Sequence, residues 1–231
     1  MRFGVVIFPG SNCEQDVLFA ARSLGHEADY IWHGDTNLAG LDAIVLPGGF
    51  SYGDYIRCGA VARFSPVMAE VVRFAAAGGP VMGICNGFQI LTEAHLLPGA
   101  LLRNTGLKFI CHEQTLRVEA NACQWLDLPA GSVIEIPVNH NEGNYICDVA
   151  TLAQMQANGQ IVLRYCEADG QVGPDSSPNG ALDNIAGICN ETGNVFGLMP
   201  HPERRVDPLT GGTDGVPFFT SIVTQLERVA G

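Results

Sequence analysis

Within the first hundred residues, short aliphatic and β-branched runs at 3–8, 28–32, 43–46 and 81–84 alternate with stretches of helical pattern, and this alternation leaves few folds open. Several of these runs are apolar at every position, as strands buried on both faces of a parallel sheet are. Between them, Ser11 or Asn12 can cap a helix that runs to Leu24 and stops at Gly25. Ser65-Pro66 can start another that ends before Gly78-Gly79. From residue 107 onward strands dominate, expected at 107–111, 115–119, 133–138, 161–166, 185–189 and 195–198. A helix is expected at 151–157, an exposed excursion at 169–184, and a closing helix at 214–229 with Phe218, Phe219, Ile222, Val223 and Leu226 on its core side. The expected architecture is a single α/β domain over 1–231, a central, mostly parallel sheet flanked by helices with extra antiparallel strands in the second half.

Ligand sites of such sheets lie at the carboxyl ends of the strands. The run 81–84 leads into Gly83-Ile84-Cys85-Asn86-Gly87-Phe88-Gln89, and a helical pattern over 88–97 follows, closed by Pro98-Gly99. Cys85 therefore falls on a strand-to-helix turn with the Gly-x-nucleophile-x-Gly spacing of a nucleophile elbow. A thiol there faces the positive end of the next helix, which favours thiolate against a reference pKa of about 8.5. Far downstream stands Met199-Pro200-His201-Pro202-Glu203. Pro202 pushes His201 out of helical angles, and in an extended segment residues two apart share a side, which would set Glu203 beside His201. A carboxylate so placed fixes the imidazole tautomer and stabilises the imidazolium. A lone cysteine is more often a buried small hydrophobe and a lone histidine a satisfied structural residue. Occurring together, elbow and His-x-Glu point to cysteine-based acyl transfer.

A third loop follows residue 46 and reads Pro47-Gly48-Gly49-Phe50-Ser51-Tyr52-Gly53-Asp54. The amides of Gly49 and Asn86 could together form an oxyanion hole, although alone this loop reads as an ordinary glycine-rich turn. Neither Gly-x-Gly-x-x-Gly nor the Walker pattern is present.

Composition narrows the partners. Twenty-four acidic residues against 12 basic ones give a net charge of −12, which argues against a nucleic-acid or anionic-membrane surface. No apolar window approaches a membrane span, and the opening run stopped by Pro9 is too short for a signal sequence. The eight cysteines show no disulfide-framework or zinc spacing, so a reducing, cytoplasmic setting with mostly buried thiols is expected. Besides Cys85, only Cys13, at a predicted helix start, stands out as a reactive candidate. Arg204 and Arg205, beside His201 in an acidic chain, read equally as a docking contact or as a solvated charge pair.

The motifs as a set resemble the class I, triad-type glutamine amidotransferases, whose elbow reads Gly-x-Cys-x-Gly-x-Gln and whose base and acid sit in His-Pro-Glu. Phe8-Pro9-Gly10-Ser11-Asn12-Cys13, the loop 47–54, Cys85-Asn86-Gly87-Phe88-Gln89, Glu142-Gly143-Asn144-Tyr145 and Met199-Pro200-His201-Pro202-Glu203-Arg204 are similar to those of the glutaminase subunits of phosphoribosylformylglycinamidine synthase. The resemblance implies a flavodoxin-like fold, Cys85 as nucleophile on glutamine, His201 as proton carrier and Glu203 as its partner. It further implies Gly49 as oxyanion donor and Gln89 as a substrate contact. The implied partners are a separate synthetase that uses ATP and magnesium on formylglycinamide ribonucleotide and a small accessory subunit, with no cofactor or metal in this chain. Where relatives commonly read Ala-His-Gly-Glu-Gly, this chain reads Asn139-His140-Asn141-Glu142-Gly143, so Asn141 replaces a flexible glycine. Two competing readings are an elbow-cysteine hydrolase or stress protein of the related α/β group, and a non-catalytic interaction subunit. The downstream His201 and Glu203 disfavour both.

Overall fold

The computed structural model describes residues 1–230, with side chains through Thr224. In chain order the elements are β1 (Arg2–Ile7), α1 (Glu14–Ser23), β2 (Glu27–Trp32), β3 (Ala43–Leu46), α2 (Pro66–Ala76), β4 (Val81–Ile84), α3 (Asn86–Glu93), β5 (Ala100–Leu102), β6 (Ile110–Val118), β7 (Val133–His140), β8 (Asn144–Ile146), α4 (Val149–Ala157), β9 (Ile161–Tyr165), β10 (Ile185–Cys189), β11 (Val195–Leu198) and α5 (Pro217–Ala230). Nine strands form one sheet in the order β2-β1-β3-β4-β11-β10-β9-β6-β7, and β5 pairs separately with β8. The pairs from β2 through β11 are parallel. Those from β11 through β7 are antiparallel. The order 2-1-3-4 in the parallel half is that of a flavodoxin-like sheet.

The four apolar runs of the N-terminal half become the strands they predict. β3, β4 and β11 are buried at every position, which is why they read as unbroken apolar stretches. On α5, Phe218 stacks on Phe196 at 6.2 Å and Phe219 approaches Phe3 at 6.4 Å. Phe218, Phe219 and Ile222 are buried and Val223 packs at the margin, so the predicted core stripe holds that far, while Leu226 lies outside the described side chains. Each buried aromatic of this kind contributes about 1.5–3 kcal/mol.

Several boundaries differ from expectation. The strands anticipated at 107–111 and 115–119 are one continuous strand, β6, paired with β7 from Ile110↔His140 to Arg117↔Val133. Exposed Cys111, His112 and Glu113 interrupt the apolar pattern but not the backbone ladder. Leu107 instead sits in a turn at φ 52, its amide bonded to the Asn104 carbonyl. α3 begins at Asn86 and stops at Glu93, because the amides of Leu96 and Leu97 fold back onto the carbonyl of Leu91. The excursion at 169–184 is not wholly exposed, since Asn179 is fully buried. The three-residue strands β5 and β8 are too short to leave a pattern. All eight cysteines are free, and no helix among the described residues is long and apolar enough to cross a membrane.

Candidate active site

β4 and β11 lie side by side and parallel, so the segments that follow them leave the same edge of the sheet. Cys85 follows β4 directly at φ 51, ψ −104, a conformation that costs a non-glycine residue about 1–3 kcal/mol. Its amide donates to the Leu198 carbonyl at the end of β11 (2.8 Å), and this bond locks the turn. The elbow glycines serve close approach. A Cβ on Gly87 would lie 1.9 Å from the Leu46 carbonyl oxygen, and one on Gly83 would lie 2.6 Å from the Gly87 carbonyl carbon. Cys85 is buried, with Sγ 3.7 Å from the Asn139 carbonyl.

Beyond β11 the chain reaches His201, whose amide donates to Pro137 of β7 (2.8 Å). Pro202 keeps His201 out of helical angles (φ −108, ψ 81), as expected. Glu203, however, is not in an extended segment, because Pro202–Arg204 forms a single 3-10 turn. That turn curls the carboxylate back so that Oε1 lies 2.6 Å from His201 Nδ1. The pairing anticipated from sequence exists, but through a turn and not through strand alternation. With Nδ1 committed to Glu203, Nε2 is the nitrogen left for the thiol, and it has no oxygen or nitrogen partner among the described residues. Burial works to lower the His201 pKa. The charges of Glu203 and Cys85, with hydrogen bonds to the Cys13 and Cys85 thiols, carry it well above its ordinary value instead.

Gly49 sits at φ 140 and forms an isolated antiparallel bridge with Ser11. Within that bridge Phe50 and Asn12 make the hydrogen bonds, and the Gly49 amide makes none among the described residues. Asn86 is the first residue of α3, where an amide has no preceding turn to bond. Its side chain accepts from the Ser51 amide (3.2 Å) and donates to Gln89 Oε1 (2.9 Å), which ties the loop 47–54 to the elbow helix. Gln89 in turn donates to the Glu142 carbonyl (2.6 Å).

One pocket gathers these parts. Gly49, Cys85, Gln89 and His201 line it, together with Asn12, Cys13, Asp54, Cys58 and the segment 139–142. Asn86 and Glu203 are not part of its lining. Asn104, buried and without any sequence signal, organises that segment. Its Nδ2 donates to the carbonyls of Lys108 (2.9 Å) and His140 (3.0 Å), while Oδ1 receives Gly143 N–H (3.0 Å) and faces His140 Nδ1 (3.2 Å). Asn179 adds a bond to the Gly143 carbonyl (2.9 Å). Asn141 is not among the residues with positive φ, so the position does not require the glycine common in relatives.

The two arginines after the motif are not a solvated pair, because each is engaged within the chain. Arg204 reaches Asp16 (3.1 Å) and the Cys13 thiol (3.2 Å), and Arg205 is buried against Glu113 and Glu135. Cys13, singled out from its place at a helix start, thus lies between Arg204 and the triad. Asp54 and Glu142 also line the pocket, and although both belong to motifs shared with the amidotransferases, nothing in the sequence gives them a role.

The sequence profile of the CobB/CobQ-like glutamine amidotransferase domain matches residues 1–212. Phosphoribosylformylglycinamidine synthase subunit PurQ of Moorella thermoacetica is 56% identical over 230 residues, covering 99% of this chain and 98% of that protein. The PurQ subunit of Salinibacter ruber is 54% identical over 231 residues, with 99% and 98% covered. Among solved structures, a chain of PurLQS from Thermotoga maritima is similar with a TM-score of 0.85 and 45% identity, over 97% of this chain and 98% of that one. A glutamine amidotransferase from Thermotoga maritima, at 14% identity and a TM-score of 0.56 over 100% of this chain and 85% of that one, shares the fold. The chain belongs to the CobB/CobQ-like glutamine amidotransferase family and, within it, to the PurQ subunits of phosphoribosylformylglycinamidine synthase.

Proposed function

We propose that this chain, as one domain over 1–231, hydrolyses glutamine and hands the ammonia to a separate ATP-dependent synthetase that converts formylglycinamide ribonucleotide to formylglycinamidine ribonucleotide. The observation that carries the reading is the 2.6 Å contact between His201 Nδ1 and Glu203 Oε1, beside a cysteine on a strained elbow. Cys85 sulfur attacks the side-chain amide carbon of glutamine, and the carbonyl oxygen becomes an oxyanion received by the amides of Gly49 and Asn86. His201 gives its proton to the nitrogen as the C–N bond breaks, and ammonia leaves a γ-glutamyl thioester. Water then attacks the thioester carbon, His201 takes the water's proton, and the C–S bond breaks to release glutamate and restore the thiolate. Glu203 holds the ring in the tautomer both steps need. Gln89 shapes the pocket by fastening the elbow helix to the loop at Glu142.

By likeness to the Thermotoga maritima PurLQS chain, the partners are the other subunits of such a complex. On this reading these are the synthetase, which uses the ATP and magnesium, and a small accessory subunit. No cofactor is assigned to this chain. Free thiols suit a cytoplasmic setting.

The test is glutamate release from glutamine by this chain, alone and with the synthetase, accessory subunit, ATP and acceptor. Weak release alone and strong stimulation by the full set are expected. No release in either condition, with a synthetase active on ammonia, overturns the reading.

A further inference from the structure

Shortly after Gly49 the chain enters a segment whose backbone its side chains disfavour. Tyr52 (φ 53), Asp54 (φ 55) and Ile56 (φ 73) all stand in the left-handed region, with Gly53 (φ 67) among them. Glycine adopts such angles freely. For an aromatic or a β-branched residue they are unfavourable and persist only where the surroundings impose them.

The main chain supplies part of the restraint. The Phe50 amide donates to the Gly10 carbonyl (2.9 Å), the Tyr52 amide to that of Pro9 (2.6 Å) and the Gly53 amide to that of Phe50 (2.8 Å). These bonds fasten the loop to itself and to the turn at Pro9-Gly10, not to regular structure. The Tyr52 side chain makes the firmer tie. Its hydroxyl lies 2.9 Å from His33 Nδ1 and 2.8 Å from Ser65 Oγ, and its ring meets the His33 ring edge-on at 5.7 Å. His33 directly follows β2, and its amide donates to Ile7 at the end of β1 (2.9 Å). Ser65 directly precedes α2, whose Val67 amide donates to the His33 carbonyl (3.0 Å). The ends of two strands and the start of a helix are thus joined to the loop through one phenol. Either tautomer of His33 fills both contacts, because the phenol donates to one partner and accepts from the other.

Ser65 gives an independent sign. A serine at the head of a helix ordinarily turns its oxygen to an amide of the first turn. Here no such capping bond is made, and the hydroxyl of this buried residue is committed to Tyr52 instead. The helix forgoes a local stabilisation in favour of the loop.

We propose that Tyr52 is a positioning residue for glutamine hydrolysis: its hydroxyl, clamped between His33 and Ser65, holds the strained segment in place and with it the Gly49 amide that receives the oxyanion. The inference rests on the glutaminase reading and deepens it. Tyr52 is not part of the pocket lining, so its influence passes along the backbone from residue 52 to residue 49. Without the hydroxyl the unfavourable angles relax and the Gly49 donor shifts. A shifted oxyanion donor weakens binding of the transition state and leaves binding of glutamine nearly untouched.

The test compares the wild type, Tyr52→Phe and Ser65→Ala in the assembled complex. Tyr52→Phe keeps the ring and removes only the hydroxyl. Its kcat for glutamate release is expected to fall about tenfold with KM changed by less than about twofold, and Ser65→Ala should move the same way by a smaller factor. Alkylation of Cys85 by iodoacetamide, which develops no oxyanion, should keep its wild-type rate in both variants. Amide hydrogen exchange over residues 48–54 should quicken in both, a readout that needs no turnover. Retained ammonia-dependent synthesis shows that each variant complex is assembled. A kcat for Tyr52→Phe within about twofold of the wild type, a loss carried by KM, or unaltered exchange overturns the positioning role. Slowed alkylation overturns it too, because the damage would then lie at the triad. Absence of any glutamine turnover by the wild type strikes instead at the glutaminase reading.

Discussion

His201 and Glu203 meet at 2.6 Å with both side chains out of solvent, brought together by a turn of three residues. Glu203 is the strongest influence raising the His201 pKa against burial. In Glu203→Gln the largest raising influence is gone, and the His201 pKa should fall clearly from its wild-type position when followed by NMR of the ring protons. Since wild-type His201 binds its proton more tightly folded than unfolded, its contribution is full below about pH 6.5 and is lost as pH rises through the folded value. The variant should therefore be less stable by about 3 kcal/mol near pH 6, with the gap narrowing in alkali. A variant His201 titrating where the wild-type residue does would contradict this account.

Gly87→Ala should break the elbow. The added methyl would meet the Leu46 carbonyl oxygen at 1.9 Å, and backbone on both sides leaves neither partner free to yield. A loss above about 3 kcal/mol is expected in thermal melts, together with loss of glutaminase activity. Gly106→Ala, where a Cβ meets nothing within 4 Å, serves as the control and should be nearly neutral.

Asn104→Ala should leave the Gly143 amide and the Lys108 and His140 carbonyls without their partner. At about 1–3 kcal/mol for each group that water cannot reach, a total near 3 kcal/mol is expected in denaturant melts. Glutaminase activity should fall as well, since the segment beyond it carries the Asn139 carbonyl that faces Cys85. Unaltered stability would show that water replaces the side chain.

His140 shapes the acid limb of stability. Unfolded chain takes up a proton near pH 6.5 that the folded state refuses down to about 3, so this residue's stability is present above 6.5 and lost as pH falls through that window. His140→Gln should flatten the wild-type slope there by about one proton, or roughly 1.4 kcal/mol per pH unit. Parallel slopes in the two proteins would mean that the ring is protonated in the folded state.

The parts of this molecule legible in the sequence are those whose signal is local. β1, β3, β4 and β11 declare themselves because burial on both faces leaves no polar residue to break the run. Cys85 is legible because close approach demands glycine two positions to either side. Long-range side-chain roles are not. Asn104 is one polar residue among many until the fold brings it to His140, and Arg204 reads as surface charge until α1 and the residue before it present Asp16 and Cys13 to it. β6 reads as two strands because exposed side chains hide a continuity that lies in its backbone pairing.

The bond from the Cys85 amide to the Leu198 carbonyl joins two strands that are neighbours in space but far apart in the chain. Until β11 has slotted in beside β4, a growing or partly folded chain carries an ordinary cysteine with no base near it. On the proposed mechanism, reactivity would thereby be withheld from every incomplete form, and glutamine spared by molecules not yet able to use it well. Such a distant pairing is also among the slower contacts a chain makes. The appearance of a reactive thiol would then serve as a clock for the last stage of folding, readable in a refolding experiment by the moment at which Cys85 begins to be labelled faster than the other seven cysteines.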